Sequence, residues 1–130
     1  MAYNEKSSIV TTQVGSMNLT HTSPRAILLD NGKVIIVGRG AELFDSSTLN
    51  FSVIGNRTIS RTYHTLTKLQ DGRILISGGN LSTVEIYDST TATFTNTGSM
   101  VQAIRYGHTG TLLSNGKVLV TGGSQATTTS

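Results

Sequence analysis

The chain has 130 residues, of which 36% are hydrophobic and 13% charged, with no cysteine and a formal net charge of +3. This length suits one domain, and the lack of cysteine excludes disulfide bridges and thiolate metal sites. The ten Lys and Arg residues are scattered singly and no apolar run could span a membrane, so we expect neither a nucleic-acid nor a membrane partner. The N-terminus lacks a signal-peptide profile, which predicts a cytoplasmic location or a place in an assembled particle.

A β-hairpin is the first predicted element, and it occurs three times along the chain. The turns read DNGK around Gly32, QDGR around Gly72 and SNGK around Gly116. Strand-forming runs precede these turns (PRAILL, HTLTKL, HTGTLL), and others follow them (KVIIV, RILIS, KVLVT). Asn-Gly and Asp-Gly favour type I′ turns, in which both central residues have positive φ. We therefore predict three antiparallel hairpins joined by type I′ turns.

Two further strands are predicted after each of the first two hairpins. The segments AELFD and TVEIYD place Glu42 and Glu85 at equivalent positions. Nine residues after each glutamate, Phe51 and Phe94 open a fourth strand. Four antiparallel strands in a repeat of 40–44 residues are typical of one β-propeller blade.

A hydrophobic run ending in Gly-Gly, then Glu-x-Tyr-Asp and a later aromatic residue, resembles the kelch repeat. The bacterial form, similar to the central domain of galactose oxidase, is nearest in pattern to GSMVQAIRYGHTGTLLSNGKVLVTGG (residues 98–123). This resemblance implies an all-β fold of four-stranded, antiparallel, kelch-like propeller blades. The sequence departs from the family pattern where Phe51 and Phe94 replace a Trp, GRG replaces one Gly-Gly, and Pro24 replaces a His. WD40 repeats share the period, but the chain lacks their WD dipeptide.

The chain holds about three blade equivalents in a circularly permuted order within a single domain. Residues 1–15 form a closing outer strand, 16–55 and 56–98 form blades, and 99–130 form a partial blade. Three blades leave two apolar faces bare, so we expect a homodimer that closes a six-bladed ring. An N-terminal strand of one copy would complete the partial blade of the other. That strand consists of Ile9, Val10, Thr11, Thr12, Gln13 and Val14. The alternative, a truncated piece of a longer kelch protein, remains open.

A ligand site is predicted where three basic residues recur before the first strand of each repeat. His21, Arg61 and Arg105 hold these positions, and Tyr63 and Tyr106 stand nearby. Around the mouth of a propeller channel they would suit an anionic or carbohydrate ligand, with Arg binding carboxylates and Tyr facing sugar rings. The alternative is that these basic side chains pair with a Glu or Asp of a neighbouring strand.

Other polar residues also recur at equivalent positions, which favours a structural role for them. They are His64, His108, Glu42, Glu85, Asp45 and Asp88. We expect the histidines to bond a neighbouring loop rather than a metal, because no carboxylate recurs beside them. The glutamates are expected to link two strands, and the aspartates to cap the turn between the third and fourth strands.

The sequence contains no catalytic set, and the copper chemistry that the galactose oxidase resemblance implies would need a cysteine. We therefore expect no cofactor, no metal and no enzyme activity. The prediction is a non-enzymatic binding or assembly module that self-associates and presents loops to a protein or carbohydrate partner. Asn80, Leu81 and Ser82 form the predicted partner-facing loop. The alternatives are a structural component of a larger assembly, such as a virion or surface appendage, and a hydrolase or lyase.

Overall fold

The computed structural model describes residues 14–54, 60–79, 81–101 and 105–125. Within these ranges the chain forms β-strands and no helix, and therefore no helix that could span a membrane. The all-β prediction is confirmed. The strands are β1 (Arg25–Leu28), β2 (Val34–Gly38), β3 (Gly40–Asp45), β4 (Asn50–Val53), β5 (His64–Lys68), β6 (Ile74–Gly78), β7 (Thr83–Asp88), β8 (Thr93–Ser99), β9 (Arg105–Leu112) and β10 (Val118–Gln125).

The strands form three antiparallel sheets. Sheet 1 has the order β1-β2-β3-β4, sheet 2 has the order β5-β6-β7-β8, and sheet 3 is the hairpin of β9 and β10. The predicted pairing of four consecutive strands is thus observed in sheets 1 and 2. The described residues do not close into a ring.

The hairpin turns differ from the prediction of type I′ geometry. The Gly32 N–H donates to the Leu29 carbonyl at 3.0 Å, which makes Asp30 and Asn31 the central residues of the turn. Among the described residues of this turn only Gly32 has a positive φ, at 83°. This is the arrangement of a type I turn followed by a left-handed glycine, whose bulge also gives the strands a compatible twist. The other two hairpins repeat it, so the glycine follows the central pair instead of belonging to it.

The predicted turn caps between the third and fourth strands are confirmed. The Asp45 Oδ1 atom accepts hydrogen bonds from the N–H and Oγ–H of Ser47, at 2.9 and 2.6 Å. Asp88 accepts the same two bonds from Thr90 at the same distances. The side-chain hydroxyl bond is the main cause that lowers the pKa of each aspartate below its ordinary value. No ligand is needed to explain either carboxylate.

The hydrophobic core lies between sheets 1 and 2. Cross-strand partners share a face, so the register puts the core residues of β2 and β3 on one face of sheet 1 and those of β6 and β7 on one face of sheet 2. These two faces pack against each other in one hydrophobic cluster. The buried members of this core are Leu29, Ile35, Val37, Ala41, Ile54, Ile74, Ile76 and Tyr87.

Sheets 2 and 3 meet through small and hydroxylated residues. A Cβ atom at Gly110 in β9 would lie 2.7 Å from Thr67 Oγ1 and 3.2 Å from Thr65 Oγ1. A side chain at this position would therefore push the two sheets apart. The first strands of the sheets touch in chain order: β1 contacts β5, and β5 contacts β9. Sheet 2 therefore lies between sheets 1 and 3.

The predicted exchanged strand falls largely outside the described residues. Ile9, Val10, Thr11, Thr12 and Gln13 are not described, and Val14 belongs to no strand of its own chain. The next residue, Gly15, donates its N–H to the Leu49 carbonyl at 2.9 Å, so the chain begins its described course beside the turn between β3 and β4.

The two leucines before the first and third hairpin turns provide a matched test of the core. Leu29 is 1% exposed and Leu113 is 37% exposed, although both donate their N–H to the lysine carbonyl across the turn. We expect Leu29→Ala to lower the free energy of unfolding by about 3 kcal/mol, and Leu113→Ala by less than about 1 kcal/mol. Denaturant unfolding measures both, and equal losses would contradict a core confined to sheets 1 and 2.

Candidate functional site

Arg61, one of the predicted ligand-binding residues, is buried and bonded within sheet 2. Its Nε and Nη2 atoms donate to Glu85 Oε2 at 3.1 and 3.0 Å. Its Nη1 donates to the Gly78 carbonyl at 2.9 Å, and Nη2 also donates to Thr83 Oγ1 at 3.0 Å. The Arg61 side chain is 0% exposed. This guanidinium therefore ties the segment before β5 to β6 and β7.

His21 holds the equivalent position in the first repeat and makes the equivalent pair with Glu42. Its Nδ1 accepts the Arg39 N–H at 3.2 Å, so Nε2 carries the proton and donates to Glu42 Oε2 at 3.0 Å. Glu42 also accepts from both nitrogens of Asn18 and from the Leu19 N–H. Burial acts to raise the pKa of Glu42, but these hydrogen bonds outweigh it and the pKa lies below its ordinary value.

The structure thus shows, for Arg61 and His21, the pairing that the sequence left as the alternative to ligand binding. Both side chains are 0% exposed, and their bonding capacity is directed at their own sheets. They do not present charge to a channel mouth. The side chain of Arg105 lies outside the described residues.

His64 and His108 connect neighbouring sheets, as the structural prediction required, but they bond strands and not loops. The Nε2–H of His64 donates to the Val37 carbonyl of sheet 1 at 3.1 Å. The Nε2 of His108 lies 2.9 Å from Thr65 Oγ1 and 3.3 Å from Ser77 Oγ in sheet 2. Burial lowers the pKa of His64 to about 4. Its imidazole is therefore neutral near pH 7.

Tyr63 and Tyr106 are brought together, as the prediction of a common site required. Their ring centroids are 6.3 Å apart and the planes are inclined by 76°, an edge-to-face contact. Tyr63 is 52% exposed, Tyr106 is half-buried, and the Gly107 N–H donates to the Tyr63 carbonyl at 3.2 Å. Among the described side chains of the predicted ligand site, these two rings are the ones that solvent can reach.

The predicted partner-facing loop is less open than expected. Leu81 and Ser82 are half-buried, and the Ser82 carbonyl accepts the Met100 N–H at 2.9 Å. Asn80 lies outside the described residues.

Sequence reasoning missed a shallow groove of about 190 Å³ on the outer half of sheet 2. It lies over β7 and β8, where Ile86, Thr95 and Asn96 contribute to its lining. The register places Ile86 and Thr95 on the sheet 2 face that also carries Thr65 and Thr67, the side turned to sheet 3. No sequence motif announces this groove.

The residues present do not fit a copper centre. Across the described parts of the chain no three His, Cys, Asp or Glu side chains converge into a group that could hold a metal ion. His64 and His108 already form hydrogen bonds between sheets, and the sequence contains no cysteine. No oxidation step is derived for this chain.

No family model and no curated protein matches this sequence. Solved structures do match, and one of them is a fungal alcohol oxidase of the AA5 family in complex with copper. The likeness has a TM-score of 0.67 at 20% sequence identity, and it covers 77% of this chain and 27% of that chain. At this identity it shows the fold alone. The chain is therefore similar in fold to roughly a quarter of the length of an oxidase.

The Arg61–Glu85 pair provides a test of the buried network. Arg61→Ala leaves the Glu85 carboxylate buried without its cation, and we expect a loss of about 3–5 kcal/mol in the free energy of unfolding. Arg73→Ala is the control, because its pair with Asp71 is exposed and should contribute less than about 1 kcal/mol. The double variant Arg61→Met with Glu85→Leu should recover much of the loss. If Arg61→Ala costs no more than Arg73→Ala, the pair is not the anchor inferred from the geometry.

His64 predicts a pH dependence of stability. The folded protein keeps this imidazole neutral down to about pH 4, whereas the unfolded chain binds a proton near pH 6.5. Unfolding therefore takes up a proton in this window, and stability falls as the pH drops from 6.5 towards 4, by up to about 3 kcal/mol.

The variant His64→Gln retains a donor for the Val37 carbonyl but does not titrate. Its free energy of unfolding, measured between pH 6.5 and pH 4.5 to stay above the ordinary pKa of Glu42, should fall less steeply than that of the unmodified chain. Identical pH profiles for the two proteins would exclude the neutral, buried histidine.

Proposed function

We propose that this chain is a kelch-like, propeller-type assembly module in which sheets 1 and 3 dock against those of a second copy. In this role it carries no enzyme activity of its own, and the closed ring serves as a platform that presents its connecting loops. The observation that carries the proposal is a face of sheet 1 that repeats apolar positions of the core but is partly exposed.

The uncovered face of sheet 1 is defined by its register. It comprises Ala26, Leu28, Val34, Ile36, Glu42, Phe44, Phe51 and Val53, of which Ile36 and Glu42 are buried and Val34, Phe44 and Phe51 are half-buried. Leu28 is 58% exposed and Val53 is 50% exposed. An apolar sheet face with this much exposure is typical of an association surface.

The equivalent face of sheet 2 is the one that sheet 1 covers. Phe44 and Phe51 contact each other with centroids 4.9 Å apart and planes inclined by 43°. Tyr87 and Phe94 form the same contact at 4.8 Å and 40°, and there Tyr87 is only 1% exposed. The aromatic contact thus recurs in both sheets, but Tyr87 is buried whereas Phe44, at the equivalent position, is half-buried. This supports the view that sheet 1 also requires a neighbouring sheet.

The free face of sheet 3 has the properties required of that neighbour. It carries Thr109, Thr111, Leu119 and Thr121, at the positions of Thr65, Thr67, Leu75 and Ser77 in sheet 2. The sheet 2 threonines pack against Gly110, which leaves no room for a large side chain. Ala26 occupies the equivalent position in sheet 1. The free face of sheet 3 would therefore meet a small residue on the free face of sheet 1 of another copy.

Docking of sheet 3 on sheet 1 joins different surfaces of the two copies. Two such contacts, related by a two-fold axis, would close a ring of six sheets, a number within the range of known propellers. The alternative source of the missing sheets is a longer chain, since the fungal oxidase with the similar fold is itself much longer than this sequence.

Charged substitutions on the two faces test the assembly. We expect Val53→Asp and Leu119→Asp each to weaken self-association by at least about tenfold, because each would bury an unpaired carboxylate. Thr48→Asp, in the exposed turn between β3 and β4, is the matched control and should leave association unchanged. Sedimentation equilibrium over a range of concentrations measures the constants, and circular dichroism checks the fold.

Mixing the two single variants tests the head-to-tail contact itself. A mixed dimer has one seam with neither substitution and one seam with both, so it should associate more strongly than either variant alone. An unmodified chain that remains monomeric, or a mixture that associates no better than its components, would contradict the proposal. Fibres instead of dimers would show that the contact does not close.

A further inference from the structure

We propose that Tyr63 and Tyr106 form a binding site for an uncharged pyranose sugar. The two rings lie where the segments entering β5 and β9 approach each other. This site is separate from the faces of sheets 1 and 3 that the proposed assembly uses, so it stands or falls independently of that assembly.

Both tyrosines depart from the repeat. Tyr63 occupies the position of Ser23 and Gly107, and Tyr106 occupies the position of Thr22 and Thr62. The other repeats therefore build the same segment with small residues. An aromatic side chain is not needed for the fold at either position, yet two are present at the same junction and touch each other.

Tyr63 has a left-handed backbone conformation, which is unfavourable for a tyrosine. Its φ is 57°, and the equivalent residues Ser23 and Gly107 have φ values of 48° and 67°. The fold thus requires a left-handed conformation here, which glycine adopts freely and a bulky residue does not. A tyrosine is retained against this preference, and strain of this kind is characteristic of functional positions.

The exposure of the pair leaves an aromatic surface in solvent. Tyr63 is 52% exposed, and the edge-to-face contact with Tyr106 sets the two planes at 76°, so that they form an open angle. A pyranose has a face of C–H groups that can lie on a ring and hydroxyls at its rim. Tyrosine offers both partners, an apolar ring and a hydroxyl that donates and accepts hydrogen bonds.

The described charge near the pair is not available to an anionic ligand, and the side chain of Arg105, next to Tyr106, lies outside the described residues. Arg61, two residues before Tyr63, is 0% exposed and bonded to Glu85, Gly78 and Thr83. It therefore has no free face with which to hold a carboxylate or sulfate. This removes the basis, at Arg61 and His21, for the anionic ligand considered from the sequence, and retains the sugar-ring contact of the tyrosines.

The experiment titrates the full chain with a panel of methyl pyranosides, with sorbitol and choline as comparison ligands. The chain has four tyrosines and no tryptophan, so intrinsic fluorescence reports the tyrosines directly. Saturation-transfer NMR identifies which sugar C–H protons contact the protein. We expect weak binding, with a dissociation constant of the order of millimolar, for at least one pyranoside. Sorbitol, which has no ring face, should not bind.

Two substitutions borrowed from the other repeats are the matched variants. Tyr63→Ser and Tyr106→Thr install residues that the same fold accepts at equivalent positions, and each should weaken pyranoside binding by at least about tenfold. Tyr87→Phe, in the core, is the control and should bind normally. Absence of binding by every pyranoside, equal binding of sorbitol, or unchanged binding by both variants would overturn the proposal. Binding of choline alone would show a cation site instead and would also overturn it.

Discussion

A β-sheet that is apolar on both faces must be covered on both sides, and this requirement organises the molecule. Sheet 2 meets it, because sheet 1 covers one face with aliphatic side chains and Gly110 of sheet 3 packs against Thr65 and Thr67 on part of the other. Sheets 1 and 3 each have one neighbour among the described residues. The fold, the half-buried aromatic pair of Phe44 and Phe51, and the proposal of a second copy all follow from this unequal coverage.

Within sheets 1 and 2 a buried carboxylate holds the chain segment that leads into the stack. Glu85 binds Arg61, and Glu42 binds His21 together with Asn18 and Leu19. The two repeats use different hydrogen-bond donors for the same purpose, Arg61 in one and His21 in the other, because the buried acid has to be satisfied wherever the segment crosses the sheet. The arrangement also explains how Tyr63 can hold an unfavourable backbone conformation. It lies two residues after an arginine whose position four hydrogen bonds fix.

Much of the strand pattern could be predicted from sequence because the repeat supplied an internal comparison. The strands, the aspartate caps and the pairing of a glutamate with a basic residue all recur at equivalent positions, as the matching bonds of Asp45 and Asp88 illustrate. The turn type was wrong, because the Asn-Gly pair does not reveal whether the asparagine or only the glycine is left-handed. The accessibility of Arg61 also could not be read from its spacing, since burial depends on the sheet packed above it. The two tyrosines were predicted as part of a site because they stand near the repeated basic residues in the sequence. The unfavourable backbone conformation of Tyr63 became visible only from its φ angle.

The contact at Gly110 has a consequence for how a repetitive chain avoids folding incorrectly. The residues at this position are Ala26, Leu66 and Gly110 in sheets 1, 2 and 3, so they differ in volume. Leu66 packs with the aliphatic face of sheet 1, whereas the hydroxyls of Thr65 and Thr67 leave no room for a large side chain at Gly110. Exchanging two modules would create a clash at one joint and a void at another. The graded size of this residue therefore makes the joints sterically different from one another, which disfavours packing of the wrong modules together.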